Sequence, residues 1–258
     1  MPDRFEDRDM AGTTFRRVDL GEAVFDDVNL GAASFGNVNL GGARIRDANL
    51  TGLKIESANI AGLTIFGIRV DKLIEHELDR RDPARVALRM GDIFDPAEVG
   101  RVMGRLGHLR AAFYATLRQT PQDVLVECPG PDRWSALEHV RHLVFAEDMY
   151  VHRWLLRDDR PWCRLGFLPP FLSDNLAFSE VGQEPTKDLE IVLAAWDRIH
   201  RDLLAFLPSL TAEVLRRDTS DVDFGQGTVG AVLQGMAQHD LTHIRMAERA
   251  IRDVREQA

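Results

Sequence analysis

Residues 15–45 read FRRVDLGEAVFDDVNLGAASFGNVNLGGARI, with a large apolar residue at every fifth position. The spacing continues to residue 65 through these side chains: Phe15, Leu20, Phe25, Leu30, Phe35, Leu40, Ile45, Leu50, Ile55, Ile60 and Ile65. A period of five fits neither an α-helix nor a continuous strand. From Leu20 onward another apolar residue lies two positions earlier, and residues two apart share one face of an extended chain. The pattern predicts short extended units that place two side chains inward and then turn.

Glycines are expected at the corners between these units, because glycine reaches backbone conformations that other residues rarely adopt. They stand at Gly21, Gly31, Gly41, Gly42, Gly52 and Gly62. Units such as AVF, VNL, ASF, ANL and LTI, within residues 13–67, resemble the A-(D/N)-L core of the pentapeptide-repeat family. The resemblance implies a short right-handed, four-sided β-helix. A stack of this length favours a structural or docking module over an acidic rod that imitates DNA.

The segment after the repeat is charged and has a helical pattern of apolar residues. A solenoid end needs a cap, and Pro83 is expected to divide this segment into two short helices. His76 within it is predicted to lie on the surface. We therefore expect a β-helix over residues 1–69, a helical cap and linker over 70–92, and a helical domain over 93–258.

The helical domain is predicted to be a four-helix bundle with one long crossover, residues 158–185. Apolar residues at helical spacing and flanking prolines place its helices at 97–119, from 135 to about 157, at 186–207 with Thr186 as N-cap, and from 228 to the C-terminus. Ser135 and Glu138 form a capping-box pattern at the start of the second helix.

Two histidines of the last helix, His239 and His243, occupy consecutive places in its apolar line. Residues four apart are neighbours on a helix, so both imidazoles can reach one ion. Burying two imidazoles without partners is costly, and a shared divalent metal removes that cost. The alternative is a pair of core histidines bonded to backbone or carboxylates.

A third ligand has to come from another helix, and the second helix offers His139, His142 and His152. Periodicity does not choose between the first two, because the apolar arc of this helix is broad. Glu147 falls inside that arc and is expected to be a buried carboxylate. His152 lies among charged positions and is expected to face solvent. The other helical histidines are expected to be ordinary polar or core residues: His108 and His200.

Two segments resemble motifs of the DinB/YfiT-like superfamily: WSALEHVRHLVFAE (134–147) and GQGTVGAVLQGMAQHDLTHIRMAE (225–248). The resemblance implies a four-helix bundle that binds a divalent metal, zinc or nickel, through three histidines. Carried over residue by residue, these are His142, His239 and His243. Arg245 and Met246 depart from the family pattern, in which many relatives carry a glutamine nearby, and this departure concerns substrate contacts.

Three neutral imidazoles leave one position open on the metal, which is the layout of catalytic rather than structural zinc. A metal ion there can activate a water molecule or a thiolate. Four neighbouring side chains are candidates for orienting the imidazoles: His139, Glu138, Glu147 and Asp240, the last of which can equally face solvent. Three aromatic residues are candidates for the wall of a substrate pocket or for ordinary packing: Trp162, Phe167 and Phe171.

Two functions follow from this reading. The first is a metal-dependent enzyme that acts on a small molecule as a thiol S-transferase, with a low-molecular-weight thiol as co-substrate, or as a hydrolase. The second is a non-catalytic, metal-stabilised scaffold whose β-helix docks a partner or forms a homodimer. A fourth ligand such as His139 or Glu147 would close the site and favour the scaffold.

Composition excludes several other classes of function. The formal charge of −9 over 258 residues argues against direct binding of nucleic acid or of an anionic membrane. Two isolated cysteines fit neither a disulfide scaffold nor a cysteine metal cluster. The N-terminus lacks a signal-peptide pattern, so a cytoplasmic protein is expected. The chain has neither a P-loop nor a G-x-G-x-x-G fingerprint, which leaves nucleotide-dependent chemistry unsupported.

Overall fold

The computed structural model covers the repeat and the helical region of the chain. It describes residues 5–36, 38–56, 58–131, 133–220 and 227–257, without the side chain of Phe171. The chain divides into two compact units, Met1–Ile45 and Arg46–Ala258.

Where the structure describes it, the repeat turns at every fifth residue, with two kinds of corner that alternate. One kind is a β-turn in which a backbone N–H bonds the carbonyl three residues earlier, as from Ala23 to Leu20 at 3.0 Å. An Asp or Asn before each such turn accepts a further backbone N–H, as Asn29 does from Gly31 at 2.9 Å. The other kind is a bend at a residue with positive φ, as at Arg17. The predicted five-residue turning of the chain is confirmed.

The glycines occupy these corners differently from the prediction. Gly42 is in the left-handed conformation that favours glycine. Gly21 and Gly31 instead lie one residue before the left-handed position of their own turns. Glu22 and Ala32 take the left-handed place in those turns, with φ of 61° at both. The Asp or Asn side-chain bond is present in both sorts of turn, as at Asn29 before Ala32 and at Asn39 before Gly42.

The apolar side chains of the repeat are not buried as predicted. Phe25 is 57% exposed and Leu40 59%, and the other described members of the series behave similarly, apart from Ile60, which is half-buried. The backbone hydrogen bonds of its turns are local, and among the described residues no strand ladder joins its units. The four-sided β-helix therefore stays a prediction.

A two-stranded hairpin and eight α-helices follow within the described residues. The strands are β1 (Thr64–Ile65) and β2 (Ile68–Arg69), paired antiparallel. The helices are α1 (Val70–Arg81), α2 (Pro83–Ala87), α3 (Pro96–Arg118), α4 (Gln122–Val126), α5 (Ala136–Glu147), α6 (Leu189–Phe206), α7 (Ala212–Arg216) and α8 (Val229–Gln257). A π-helical segment, Asp148–Leu155, continues α5 directly. Short 3-10 turns complete the list at 170–172, 176–178 and 207–209.

Helices α3, α5, α6 and α8 pack as a bundle. Helix α5 lies against α8 and α6, and α8 also lies against α3. Helices α3 and α6 are in contact through Tyr114 and Trp196, whose ring centroids are 5.4 Å apart. The described helices include none that combines the length and apolar character needed to span a membrane.

Helix α5 is buried on nearly every side, which explains why its periodicity could not choose between His139 and His142. The crossover chain covers the side that the other helices leave open. Arg141 donates to the carbonyls of Leu165 and Gly166, at 2.9 and 3.1 Å, and its own carbonyl accepts from the Phe167 N–H at 3.1 Å. The side of α5 that carries Arg141 is therefore covered by the crossover chain and not exposed to solvent.

Several predicted helix ends are confirmed, and one is corrected. The Ser135–Glu138 capping box is present in full at the start of α5. Pro83 begins α2 immediately after the end of α1. The N-cap of α6 is Asp188 rather than Thr186, because the Asp188 carboxylate accepts from two first-turn N–H groups. Thr186 instead accepts the N–H of Asp188 itself.

The two cap helices are tied to α8 by polar contacts. Arg245 of α8 makes a bidentate ion pair with Asp82, at 2.7 and 3.1 Å, and the Asp82 carboxylate also caps α2. Gln238 donates to the Leu88 carbonyl at 2.9 Å. Arg245, the residue that departs from the family pattern, therefore anchors the linker.

Candidate metal centre

Helices α5 and α8 bring three imidazole rings together inside the bundle. The capping box starts α5 so that His142 lies on the side facing α8, while His239 and His243 occupy adjacent turns of α8. The ring of His243 lies 4.4 Å from that of His142 and 4.5 Å from that of His239, measured between centroids. These are the three residues that the family resemblance named as ligands.

One pair of ring nitrogens has the spacing that a tetrahedral metal requires, and the third lies near enough to join it. One nitrogen from each ring lies within 4.8 Å of the other two. Nε2 of His142 and Nε2 of His239 are 3.3 Å apart. Two zinc–nitrogen bonds of ~2.0–2.1 Å at a tetrahedral angle separate their nitrogens by about 3.3 Å. The donor set therefore fits a zinc-like ion.

The tautomer of His142 is set from outside the cluster. Its Nδ1 lies 3.1 Å from the carbonyl oxygen of Phe167, and only an N–H can donate there. Nε2 is then left without a proton, so its lone pair points toward His239. A backbone carbonyl on the far ring nitrogen is a common way to orient a metal-binding histidine.

Burial keeps these rings neutral at physiological pH. Desolvation is the main cause, and it lowers the pKa of His142 to about 4 and that of His239 to about 3. The pKa of His243 is lowered further, by burial and by the neighbouring imidazoles. Neutral imidazole is the form that binds a metal, so the rings are ready as ligands without first losing a proton.

A fourth imidazole, His139, contacts the cluster without joining it. Its Nδ1 lies 3.1 Å from Nδ1 of His243, so that one of the two nitrogens donates and the other accepts. Burial lowers its pKa to about 4 as well. Among the described residues the convergent set contains three members, and neither His139 nor Glu147 belongs to it.

Trp134 and Tyr150 complete the surroundings of the three histidines, and neither was predicted from the sequence to lie there. The Trp134 ring lies 5.1 Å from the rings of both His139 and His142, and it stacks on His243 at 5.9 Å. The Tyr150 ring meets His239 edge-on at 5.7 Å. The sequence did offer one clue to Trp134: it lies immediately before the capping box that starts α5, the helix that carries His142. Tyr150 lies in the π-helical segment, whose winding sequence periodicity does not reveal.

The aromatic residues suggested for a pocket wall separate into two groups. Phe167 packs edge-on against Trp134 at 5.1 Å and belongs to the centre. Trp162 packs against Phe145 and Phe178, at 5.8 and 5.3 Å, in a separate apolar cluster, so ordinary packing describes it. The side chain of Phe171 lies outside the described part of the structure.

The three carboxylates suggested for orienting the imidazoles have different surroundings. Glu138 uses its Oε2 to accept from the Ser135 backbone and hydroxyl, at 2.8 and 3.0 Å. The capping box therefore occupies it, and the expectation that it orients an imidazole is corrected. Glu147 and Asp240 are each 1% exposed, so the solvent-facing alternative for Asp240 is wrong. Asp240 lies with one carboxylate oxygen 3.7 Å from Nδ1 of His239.

His152 is buried, contrary to its predicted solvent-facing position. It is 3% exposed and lies between two carboxylates, Asp148 and Asp202. The reason is the π-helical winding, which places more residues in each turn than an α-helix and so changes the face on which His152 lies. The other helical histidines lie outside the cluster: His108 is exposed and His200 is half-buried beside Glu147.

Fold and site together define a helical bundle with a three-histidine centre between two of its helices. The profile of the DinB superfamily matches residues 105–247, more than half of the chain. The chain therefore belongs to the DinB superfamily. Pentapeptide repeats match in eight copies over residues 23–60. No curated protein and no solved structure matches the chain.

Proposed function

We propose that this chain is a metal-dependent enzyme that acts on a small molecule, with zinc or nickel held by His142, His239 and His243. The convergence of three neutral imidazole nitrogens within 4.8 Å carries the proposal. Membership of a metal-binding superfamily supports it. A divalent ion held there would supply Lewis-acid chemistry, which activates a coordinated thiol or water.

The chain's own residues have distinct parts in this proposal. The Phe167 carbonyl orients His142. Trp134 covers three of the imidazoles and limits access of water, which strengthens electrostatic interactions at the site. His142 is buried, and His239 and His243 are half-buried.

An open ligand position favours catalysis over a purely structural metal. Catalytic zinc sites typically have three protein ligands, whereas structural sites have four. The described residues supply three, and His139 is engaged with His243. We infer thiol transfer with a low-molecular-weight thiol, or hydrolysis, as the reaction class. The repeat, as a right-handed four-sided β-helix, would serve as a docking or dimerisation module.

Metal content tests the site. After loading with Zn²⁺ and dialysis, the full chain should retain about one ion per molecule, and His142→Ala and His243→Ala should each lose most of it. His108→Ala removes an exposed histidine of α3 and should leave the metal content unchanged. Equal zinc in the wild type and the two cluster variants would reject the site.

A second measurement separates an enzyme from a scaffold. The Co²⁺-substituted protein should change its visible absorption spectrum when N-acetylcysteine is added, because a thiol can enter an open ligand position. A spectrum that does not respond to thiol, in protein that binds Co²⁺ fully, would contradict an open site and favour the scaffold.

A further inference from the structure

Two buried polar atoms beside the candidate metal centre face each other without a hydrogen-bond partner. They are Nδ1 of His239 and Oδ1 of Asp240, 3.7 Å apart. Within the described part of the chain, few buried side-chain atoms lack a partner, and these two are among them. Buried polar groups nearly always form hydrogen bonds, so a donor and an acceptor left opposite each other indicate a missing contact.

The other two rings of the cluster already have a partner on the nitrogen that faces away from it. His142 has the Phe167 carbonyl, and His243 has the His139 ring. His239 directs Nε2 toward His142, so a free lone pair on Nε2 requires the proton to be on Nδ1. That N–H then points toward Asp240, whose Oδ1 can accept it.

Asp240 is held in place by a buried network that reaches all four bundle helices. It shares a hydrogen bond with Glu147, and two carboxyl groups bonded in this way have one proton between them. Arg110 donates to both oxygens of Glu147, at 3.2 and 3.3 Å. Arg110 also donates to the Tyr114 hydroxyl at 2.8 Å, and that hydroxyl donates to Asp197 at 2.9 Å. The carboxyl of Asp240 therefore has little freedom to move.

The two carboxyl oxygens of Asp240 have different neighbours. The carboxyl group engages Glu147, while Oδ1 has no partner and faces Nδ1 of His239. Asp240 can therefore hold Glu147 with one oxygen and accept from His239 with the other.

We propose that Asp240 positions His239 for metal binding by accepting its Nδ1–H, and that Glu147 and Arg110 fix Asp240 for this role. The inference rests on the proposed metal site and adds its orienting network. Closing the present 3.7 Å to a hydrogen bond of ~3.0 Å needs a ring movement of well under ~1 Å. Carboxylate–histidine–metal arrangements of this kind strengthen metal binding.

Two substitutions at residue 240 separate this role from simple packing. In Asp240→Asn the amide carbonyl can accept from His239 and the amide N–H can donate to Glu147, so both contacts survive. Asp240→Leu has a similar size but supplies neither contact. Zn²⁺ affinity, measured on the full chain by competition with a chelating dye, should stay within ~3-fold for Asp240→Asn and fall about 10–100-fold for Asp240→Leu.

A control variant and a ring-specific signal complete the test. Leu233→Ala should destabilise α8 without changing Zn²⁺ affinity, because Leu233 is buried on that helix away from the centre. In the zinc-loaded wild type and in Asp240→Asn, nitrogen-15 NMR of the histidines should show a protected Nδ1–H on His239. Asp240→Leu should lose that protection, while the Nδ1–H of His142 stays.

Each outcome decides a different point. Asp240→Leu binding Zn²⁺ like the wild type, or Asp240→Asn weakened as much as Asp240→Leu, would overturn the inference. If Asp240→Leu does not fold, a protected His239 Nδ1–H in Asp240→Asn supports the inference, and a proton on Nε2 overturns it. A wild type that takes up no zinc would overturn the proposed function itself.

Discussion

The ring of His152 is held by charge from two directions. One nitrogen bonds Asp148, one turn earlier, and the other bonds Asp202 of α6 at 3.0 Å. Asp148 also accepts the N–H of Cys163 at 2.8 Å, and Arg160 donates to Asp202 at 3.1 Å. One imidazole thus joins the π-helical segment to the third long helix of the bundle.

The charge on His152 should give a stabilisation that disappears at alkaline pH. Burial acts to lower the pKa of His152, but its hydrogen bonds to the carboxylates of Asp148 and Asp202 outweigh burial, and the folded pKa lies above the ordinary value. The stabilisation is therefore fully present below the unfolded pKa of ~6.5 and is lost as pH rises through the folded pKa.

The prediction is tested with His152→Asn. At pH 6 the wild type should be more stable than this variant by about 2 kcal/mol, because hydrogen bonds to charged groups are lost. The difference in free energy of unfolding, from urea titrations at a series of pH values, should shrink toward pH 9. A constant difference across that range would contradict the charged bridge, and His108→Asn should show none.

Single residues also mark where sequence reasoning reached its limit. The apolar line of α8 predicted that His239 and His243 share a face, because the apolar residues of this segment recur with the period of an α-helix. The same reasoning gave the wrong surroundings for His152, since it assumed α-helical winding beyond Glu147. Orienting contacts such as that from His142 to the Phe167 carbonyl join residues 25 positions apart, so no local pattern reveals them.

At the scale of the element, the first turn of α8 depends on one glycine. A Cβ added at Gly230 would lie 2.2 Å from the carbonyl oxygen of Ile93. Backbone cannot move aside as easily as a flexible side chain. The close approach of α8 to the chain that precedes α3 therefore requires a residue without a side chain.

Two alanine substitutions on the same helix should have opposite effects. Gly230→Ala should lower the free energy of unfolding by about 1–3 kcal/mol, because α8 must shift away from Ile93. Gly235→Ala, where nothing lies within 4 Å, should raise it by roughly 0.5–1 kcal/mol through the better helix propensity of alanine. Urea unfolding of both variants measures this, and a gain at both positions would show that the contact with Ile93 is unimportant.

Elements with strong local signals were predictable, and those formed by tertiary contact were not. Apolar spacing, the capping box and proline placed the four long helices within a few residues of their observed ends, if the π-helical segment is counted with α5. The repeat's spacing predicted a corner at each fifth residue. It did not reveal two alternating kinds of corner, because residues such as Glu22 and Arg17 adopt the left-handed conformation without any glycine to mark it.

At the scale of the molecule, four neutral imidazoles together make stability depend on pH. The pKa values of His139 and His142 are lowered to about 4, that of His239 to about 3, and that of His243 lower still, chiefly by burial. Below the unfolded pKa of ~6.5 the unfolded chain binds protons that the folded chain does not. The metal-free protein should therefore lose stability as pH falls from 6.5 toward these folded values.

This loss can be separated from ordinary acid denaturation. Each histidine should steepen the fall of unfolding free energy by at most about 1.4 kcal/mol per pH unit. His142→Phe should give a shallower fall between pH 6.5 and pH 4, as measured by urea titration of metal-free protein. Equal slopes for variant and wild type would mean that the ring is not buried neutral.

Saturating Zn²⁺ should stabilise the wild type at pH 7, because the ion binds the folded state.

The corners of the repeat carry a consequence for how this chain can change in length. Hydrogen-bonded turns recur every ten residues, and each described midpoint between them is a bend, so the sequence motif is five residues long but the backbone pattern is ten. Adding or removing one pentapeptide would place two corners of the same kind in succession, whereas a pair of pentapeptides would preserve the alternation. Insertions and deletions here should therefore be tolerated in steps of two motifs.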